Sequence, residues 1–186
     1  MERGGLRAKQ ALRRCERDDI ILYETVRGGM FMSNSAIYLA GGCFWGLQKF
    51  FDQFDGVVGT EVGYANGPDA APTYQDVCHD SGHAETVRVD YDPAVISLTA
   101  LLDKYFMVID PLSVNRQGHD RGIQYRTGIY YTASISGSWA GRKLAVELLP
   151  LQNFFTAEEY HQKYLDKNPG GYCHIPGKML RLGKGE

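Results

Sequence analysis

The sequence is poor in cysteine and has no closely paired ones. Its four thiols, Cys15, Cys43, Cys78 and Cys173, stand at wide and irregular spacings with no C-x-x-C. That pattern argues against a zinc site and against a small disulfide-stapled scaffold. No apolar run is long enough to cross a membrane. The amino terminus lacks the central apolar stretch of a secretory signal, and its acids are out of place in a transit peptide. Neither sign of charge dominates: 20 Lys and Arg stand against 22 Asp and Glu, a net charge of −2. Such a chain has no electrostatic reason to bind nucleic acid or an anionic membrane. Together these absences predict a cytoplasmic protein in a compartment that keeps thiols reduced. With no seam or apolar surface stripe in view, they also predict a monomer.

What is present suits a globular enzyme. The 186 residues are 44% hydrophobic, enough for one domain that buries its own core without staples. Aromatic residues reach 12%, with 12 tyrosines, so several can line a pocket. Residues 1–33 stand apart, mixing Arg3, Arg7, Arg13, Arg14 and Arg17 with Glu16, Asp18 and Asp19 around one apolar cluster, Ile20 to Tyr23. They are expected to form a weakly ordered or loosely docked extension, with the main domain over 34–186.

The main domain reads as alternating short strands and helices. Ala36 to Ala40 is a buried strand ended by Gly41-Gly42. Phe44, Leu47, Phe50, Phe51 and Phe54 then recur at helical spacing over 44–54. Residues 56–64 and 85–91 read as strands, the second alternating cleanly through Val87, Val89 and Tyr91. Ser97 caps a helix carrying Leu98, Leu101, Leu102, Tyr105 and Phe106. A polar loop over 111–122 precedes a further alternating stretch over 124–131. A helix over 138–146 and a short strand near Leu148 follow. Thr156 with Glu159 forms a capping box that predicts a helix over 157–166. From Asn168 onward the chain is rich in glycine and should be irregular. This mixed order predicts an α+β fold with helices packed on a mixed or mostly antiparallel sheet.

The strand, glycine turn and helix place Cys43 at a helix amino terminus, where the helix dipole favours thiolate. A small buried core cysteine is the competing reading, but a core cysteine needs no flanking glycines. Glu85 opens a strand that is apolar on one face. It is either a solvated strand end or a carboxyl turned into the same pocket, where burial keeps it protonated. His83 fits a hydrogen-bonded structural imidazole better than a base. The dense polar segment from Asn115 to Arg126 is either a functional or an ordinary surface loop. Tyr74 and Tyr125 can each offer a phenolic hydroxyl to a bound oxygen. Cys173, inside Gly171-Tyr172-Cys173-His174, is either an incidental thiol or one that swings toward another sulfur. Cys15 and Cys78 have no comparable context.

Gly42-Cys43-Phe44-Trp45-Gly46 resembles the signature of the peptide methionine-S-sulfoxide reductases of the A type. Gly63 to Gly67, Pro72-Thr73-Tyr74 with Val77-Cys78, and Gly82 to Glu85 are similar in the same order. So are Asp110-Pro111, Asn115 to Gly118 with Asp120, Gln124-Tyr125-Arg126, and Ala157-Glu158 with Tyr160-His161-Gln162. The resemblance runs from about Ile37 to Leu165, and Gly171-Tyr172-Cys173 continues it. It implies a two-layer sandwich around a ferredoxin-like core. It implies Cys43 as nucleophile, Glu85 as proton donor, and Tyr74 and Tyr125 as hydroxyls for the sulfoxide oxygen, supported by Asp120. Phe44 and Trp45 would wall the substrate methyl group. Cys173 would form a disulfide with Cys43, which thioredoxin would reduce. No bound cofactor or metal is implied. The substrates would be oxidised proteins, peptides or free methionine sulfoxide of the S epimer. The main alternative is an acyl-transfer hydrolase with Cys43, His83 and Asp120 as a triad. A non-enzymatic binder of methionine peptides is the second.

Overall fold

The computed structural model describes residues 20–22, 35–68, 70–132, 137–139 and 145–183. Its elements in chain order are β1 (Ile20–Leu22), β2 (Ser35–Ala40), α1 (Phe44–Phe51), β3 (Val57–Ala65), α2 (Tyr74–Cys78), β4 (Ala84–Tyr91) and α3 (Leu98–Val108). A small hairpin, β5 (Arg116–Gln117) and β6 (Asp120–Arg121), leads to a 3-10 turn over Ile123–Tyr125. Then come β7 (Gly128–Tyr131), β8 (Gly137–Trp139), β9 (Glu147–Pro150), β10 (Phe154–Thr156), α4 (Tyr164–Lys167) and a second 3-10 turn, Met179–Arg181.

The main sheet has six strands in the order β10-β3-β4-β2-β7-β9. All neighbours are antiparallel except β7 and β9. Its central four strands, with α1 after β2 and α3 after β4, form the β-α-β-β-α-β arrangement of a ferredoxin-like core. The α+β expectation with a mixed sheet therefore holds. Strand alternation sorts the residues: Ile37, Leu39, Val62, Val87, Val89 and Ile129 lie in one apolar cluster with Leu47, Phe50 and Phe51 of α1 and Leu101 and Tyr105 of α3. Most of these are wholly buried. Glu85 stands two residues before Val87 and pairs with Tyr64 across the ladder. It therefore projects from the helix-covered face, at the end where β2 runs into Cys43.

Two sequence expectations fail, each for a tertiary reason, and a third is contradicted where its first residues are described. Only Gly128–Tyr131 of the stretch 124–131 is a strand, because Tyr125 and its neighbours turn instead. The buried Arg126 guanidinium causes this: it donates to the carbonyls of Gly82, Ile123 and Asn66 and pairs with Glu147. The helix over 157–166 shrinks to Tyr164–Lys167. The backbone of Ala157 bonds instead to Val62, and Gln162 holds Val62 from both sides, accepting from its N–H and donating to its C=O. Thr156, the expected cap, donates to Glu61. Lys163 adopts a φ of 51° and hands its N–H to Gln48, which resets the chain before α4. Ser138 lies in β8, not in a helix; this strand pairs with β1, while most of the expected helix over 138–146 lies outside the described residues. The expected strand near Leu148 is β9. Beyond β1, residues 1–33 also lie outside the described residues, Cys15 among them.

Candidate active site

A cavity of about 160 Å³ opens at the amino-terminal end of α1. Cys43, Phe44, Trp45, Tyr74, Glu85, Asp120, Tyr125 and Tyr172 line it. Five elements deliver these side chains: the start of α1, the first turn of α2, the start of strand β4, the hairpin with its 3-10 turn, and the segment after α4. Seven of the eight sequence candidates thus meet at one place. The eighth, Cys173, follows Tyr172 directly.

Cys43 is the residue before α1 and is 6% exposed. The turn that presents it needs Gly42, whose φ is +78°. A methyl group there would also lie 2.7 Å from Gln117 Cβ and 3.0 Å from the His174 ring. One turn on, a methyl group at Gly46 would sit 3.0 Å from Cys173 Sγ. The glycines around Cys43 therefore serve close approach by the protein's own loops. They are what let the Cys173 segment close over the first turn of α1.

The expected lowering of the Cys43 thiol does not occur. Burial pushes it well above the usual range, and the charges of Glu85 and Asp120 add to that. The Trp45 backbone N–H opposes the shift and loses. Eight residues of helix dipole do not outweigh desolvation next to acidic side chains.

Glu85 is 2% exposed, which rules out the solvated strand end. Its Oε2 accepts the Phe44 N–H at 3.0 Å. Burial raises its carboxyl to about 8, opposed by that N–H and reinforced by Asp120. Near pH 7 it is mostly a neutral acid beside a thiol. Burial likewise raises the hydroxyls of Tyr74 and Tyr125, so both remain proton donors.

The walls are fixed by a segment whose details the sequence did not disclose. Trp45 donates from Nε1 to His161 Nδ1 at 3.1 Å and stacks on Tyr164 at 3.8 Å. His161 is 1% exposed and also meets Phe44 and Tyr74 edgewise or tilted. Glu158 accepts the Tyr74 N–H at 2.9 Å and the Tyr64 hydroxyl at 2.7 Å. Burial works against that carboxyl, yet these hydrogen bonds hold it below the usual range. On the far side, Tyr172 donates to Asp120 Oδ1 at 2.8 Å, while His174 Nδ1 stands 3.7 Å from Asp120 Oδ2. Glu158, His161, Tyr172 and His174 were given no site role from sequence. The signal was their place in the segments Ala157-Glu158, Tyr160-His161-Gln162 and Gly171-Tyr172-Cys173-His174.

His83 does not serve a triad. One ring nitrogen meets Ser81 Oγ and the other the Pro68 carbonyl, each at 3.0 Å, and it does not line the cavity. The hydrolase alternative therefore lacks its base. Cys43, Cys78 and Cys173 are all free thiols. Cys78 is exposed, at the end of α2. Among the described residues no group of three or more His, Cys, Asp or Glu is placed to hold a metal ion.

The family model described as peptide methionine sulfoxide reductase matches residues 35–182. A peptide methionine sulfoxide reductase MsrA of Clostridium acetobutylicum is 51% identical over 157 residues, covering 78% of this chain and 97% of its own. The reduced form of Mxr1 from Saccharomyces cerevisiae is similar in structure, with a TM-score of 0.69 at 37% identity over 77% of this chain and 91% of that one. The methionine sulfoxide reductase A of Corynebacterium diphtheriae gives a TM-score of 0.68 at 33% identity, over 82% and 86%.

Proposed function

This chain belongs to the peptide methionine sulfoxide reductase family, and from that premise we propose that it reduces methionine S-sulfoxide with Cys43 as nucleophile and Glu85 as acid. The observation that carries this reading is the buried pair itself. A carboxyl raised to about 8 and a thiol line one small cavity with two tyrosine hydroxyls and an aromatic wall.

The chemistry requires that combination. A sulfoxide sulfur is a poor electrophile until its oxygen is protonated. Glu85, neutral at pH 7, gives its proton to the oxygen as the Cys43 sulfur attacks. The carboxylate so formed regains a proton from the thiol. Methionine departs, and the oxygen stays on Cys43 as sulfenic acid. Tyr74 and Tyr125 hold the oxygen by their hydroxyls, while Phe44 and Trp45 receive the methyl group. Asp120, fixed by Tyr172, orients the substrate from the opposite side.

Recycling follows from the second thiol. Cys173 attacks oxidised Cys43, water leaves, and a Cys43–Cys173 disulfide forms. Thioredoxin then reduces that disulfide by thiol exchange. The substrates are oxidised proteins, peptides or the free amino acid, and no bound cofactor takes part. The catalytic unit is residues 34–186. The protein acts as a cytoplasmic monomer, in a compartment whose reducing pool returns both sulfurs to thiols. Among the described residues no helix is long and apolar enough to cross a membrane.

Thiol mapping by mass spectrometry tests the scheme. A methionine S-sulfoxide peptide should produce a Cys43–Cys173 disulfide and one equivalent of methionine peptide without added reductant, and the R epimer should produce neither. Product accumulating over several turnovers with Cys43 still a free thiol, and no reductant present, would refute it.

A further inference from the structure

Behind the cavity lies a buried imidazole that the scheme above does not use. The His174 side chain is 4% exposed, and among the described residues neither ring nitrogen makes a hydrogen bond of full geometry, the Gly41 backbone approaching the ring without completing one. Asp120 Oδ2, 3.7 Å from its Nδ1, is buried and equally unpaired. Buried polar atoms without partners are rare and call for an explanation.

The ring packs on the first turn of α1, where Cys173 also packs and before which Cys43 stands. A methyl group at Gly42 would lie 3.0 Å from both Cε1 and Nε2 of His174, and Gly42 precedes Cys43. A methyl group at Gly46 would lie 3.0 Å from Cys173 Sγ and 3.4 Å from His174 Cε1. One face of the first turn of α1 thus receives the Cys173 sulfur and the imidazole together. Two glycines are needed to admit them.

We infer that His174 is the base that takes the Cys173 proton when this thiol attacks oxidised Cys43, and that Asp120 holds the resulting imidazolium. The inference rests on the reading in which Cys173 resolves Cys43. With hydrogen on Nδ1 toward Asp120, Nε2 carries the free lone pair. The step balances without any outside oxidant or reductant. The Cys173 S–H bond breaks and its proton goes to His174. A sulfur–sulfur bond forms as the Cys43 sulfur–oxygen bond breaks. The departing hydroxide takes the proton back from the imidazolium and leaves as water.

The electrostatics support the geometry. Burial raises the Cys173 thiol, so it is not a thiolate at neutral pH and needs a base. Burial lowers His174, against the opposing pull of Asp120 and the Gly41 backbone, so the ring is neutral and able to accept a proton. The other groups near it are the neutral Gln117, the Cys173 thiol against the same turn of α1, and Tyr172, whose hydroxyl occupies the other Asp120 oxygen. In the reduced state Cys173 donates to the Ile175 carbonyl at 3.4 Å. The attack requires it to leave that partner.

The test separates the two halves of one turnover. The full-length enzyme is mixed with one equivalent of a methionine S-sulfoxide peptide without reductant. Methionine release and disulfide formation are followed by quenched-flow mass spectrometry in wild type, His174→Asn and His174→Gln, between about pH 6.5 and 8.5. The ratio of the disulfide rate to the release rate should fall at least about tenfold in both variants. The wild-type disulfide rate should be level above about pH 7, whereas in the variants it should climb about tenfold per pH unit with the thiolate fraction. A ratio and pH profile unchanged in both variants would overturn the role of His174 and leave the resolving role of Cys173 standing. Methionine release without any Cys43–Cys173 disulfide in wild type would overturn the recycling scheme and this inference with it. Two variants guard against a misfolded one, since Asn and Gln place their amides near different ring nitrogens.

Discussion

Cys43 and Glu85 stand on β2, α1 and β4, whereas Tyr172, Cys173 and His174 stand on a segment with little regular structure. The first region is held by backbone ladders: seven consecutive pairings, from Gly59 to Ala65, join β3 to β4 and six join β2 to β4. The second, from Ala157 onward, is tied to the core mostly through side chains, some reaching backbone and some other side chains. Gln162 clamps Val62, Lys163 Nζ reaches Asp52 and Thr60, and Gln53 donates to the Met179 carbonyl. The pattern suits the proposed division of labour. In that mechanism a proton donor and a nucleophile keep one geometry, while a resolving thiol changes its partner during the cycle. A segment fastened by a few side chains can release locally without opening the sheet.

The largest effect should come from the rigid region. Glu85→Gln keeps an acceptor for the Phe44 N–H but removes the acid. Single-turnover methionine release should fall about 10²–10⁴-fold, measured by stopped reaction and chromatography. A near-normal rate would move the proton donor elsewhere. In wild type this rate should decline as pH rises through about 8, because Glu85 must be protonated to act. The same carboxyl should weaken the fold. Its folded value lies above its unfolded one, so its stabilising contribution is present at low pH and is lost as pH rises toward about 8. Glu85→Gln should therefore melt higher than wild type at pH 8, in calorimetry, while being nearly inactive.

Next in size is the segment that carries the second thiol. Cys173→Ser should stop after about one methionine per enzyme when thioredoxin is the reductant. Continued turnover would show that recycling does not pass through this segment. Tyr74→Phe and Tyr125→Phe should each slow single-turnover release by about 3–10-fold, the worth of one hydrogen bond. An equal loss in KM and kcat would place them in ground-state binding as well. The smallest effect tests how the segment is anchored. Gln162→Leu should lower stability by about 1–3 kcal/mol in urea titration, since it leaves the Val62 N–H unpaired and removes one of the two donors to the Val62 carbonyl, the other being the Ala157 N–H. It should also expose residues 157–167 to faster amide exchange than β4. Uniform loss across the sheet would erase the distinction between the two regions.

The same distinction decided what was legible in the sequence. Strand β4 and helix α1 were readable because apolar residues recur every second or every third and fourth position, and burial enforces that pattern. Ser97 was readable as a cap, and it accepts the Ala100 N–H as expected. Tyr125 was misplaced on a strand because one buried arginine, satisfied by carbonyls from Gly82 and Asn66, overrode the local alternation. Residues 157–163 were misread as a helix because their hydrogen bonds go to β3 and α1, a hundred residues away in sequence. A capping box is a local signal, and it lost to partners it cannot see.

The sequence by itself determined the order of strands and helices in the core, the glycine turn before α1, and the motif set that marks the family. It also placed Cys43, Glu85, Tyr74, Asp120 and Tyr125 as one candidate group. Only the tertiary structure decided their electrostatics. Local reasoning from a helix amino terminus favoured a Cys43 thiolate, but the protonation state depends on solvent exclusion and on charges from other elements, and these raise the thiol. Only the tertiary structure, too, brought His161 under Trp45 and seated Cys173 and His174 against Gly46 and Gly42. Contacts of that kind are made through space between segments more than a hundred residues apart, so no window of sequence contains them.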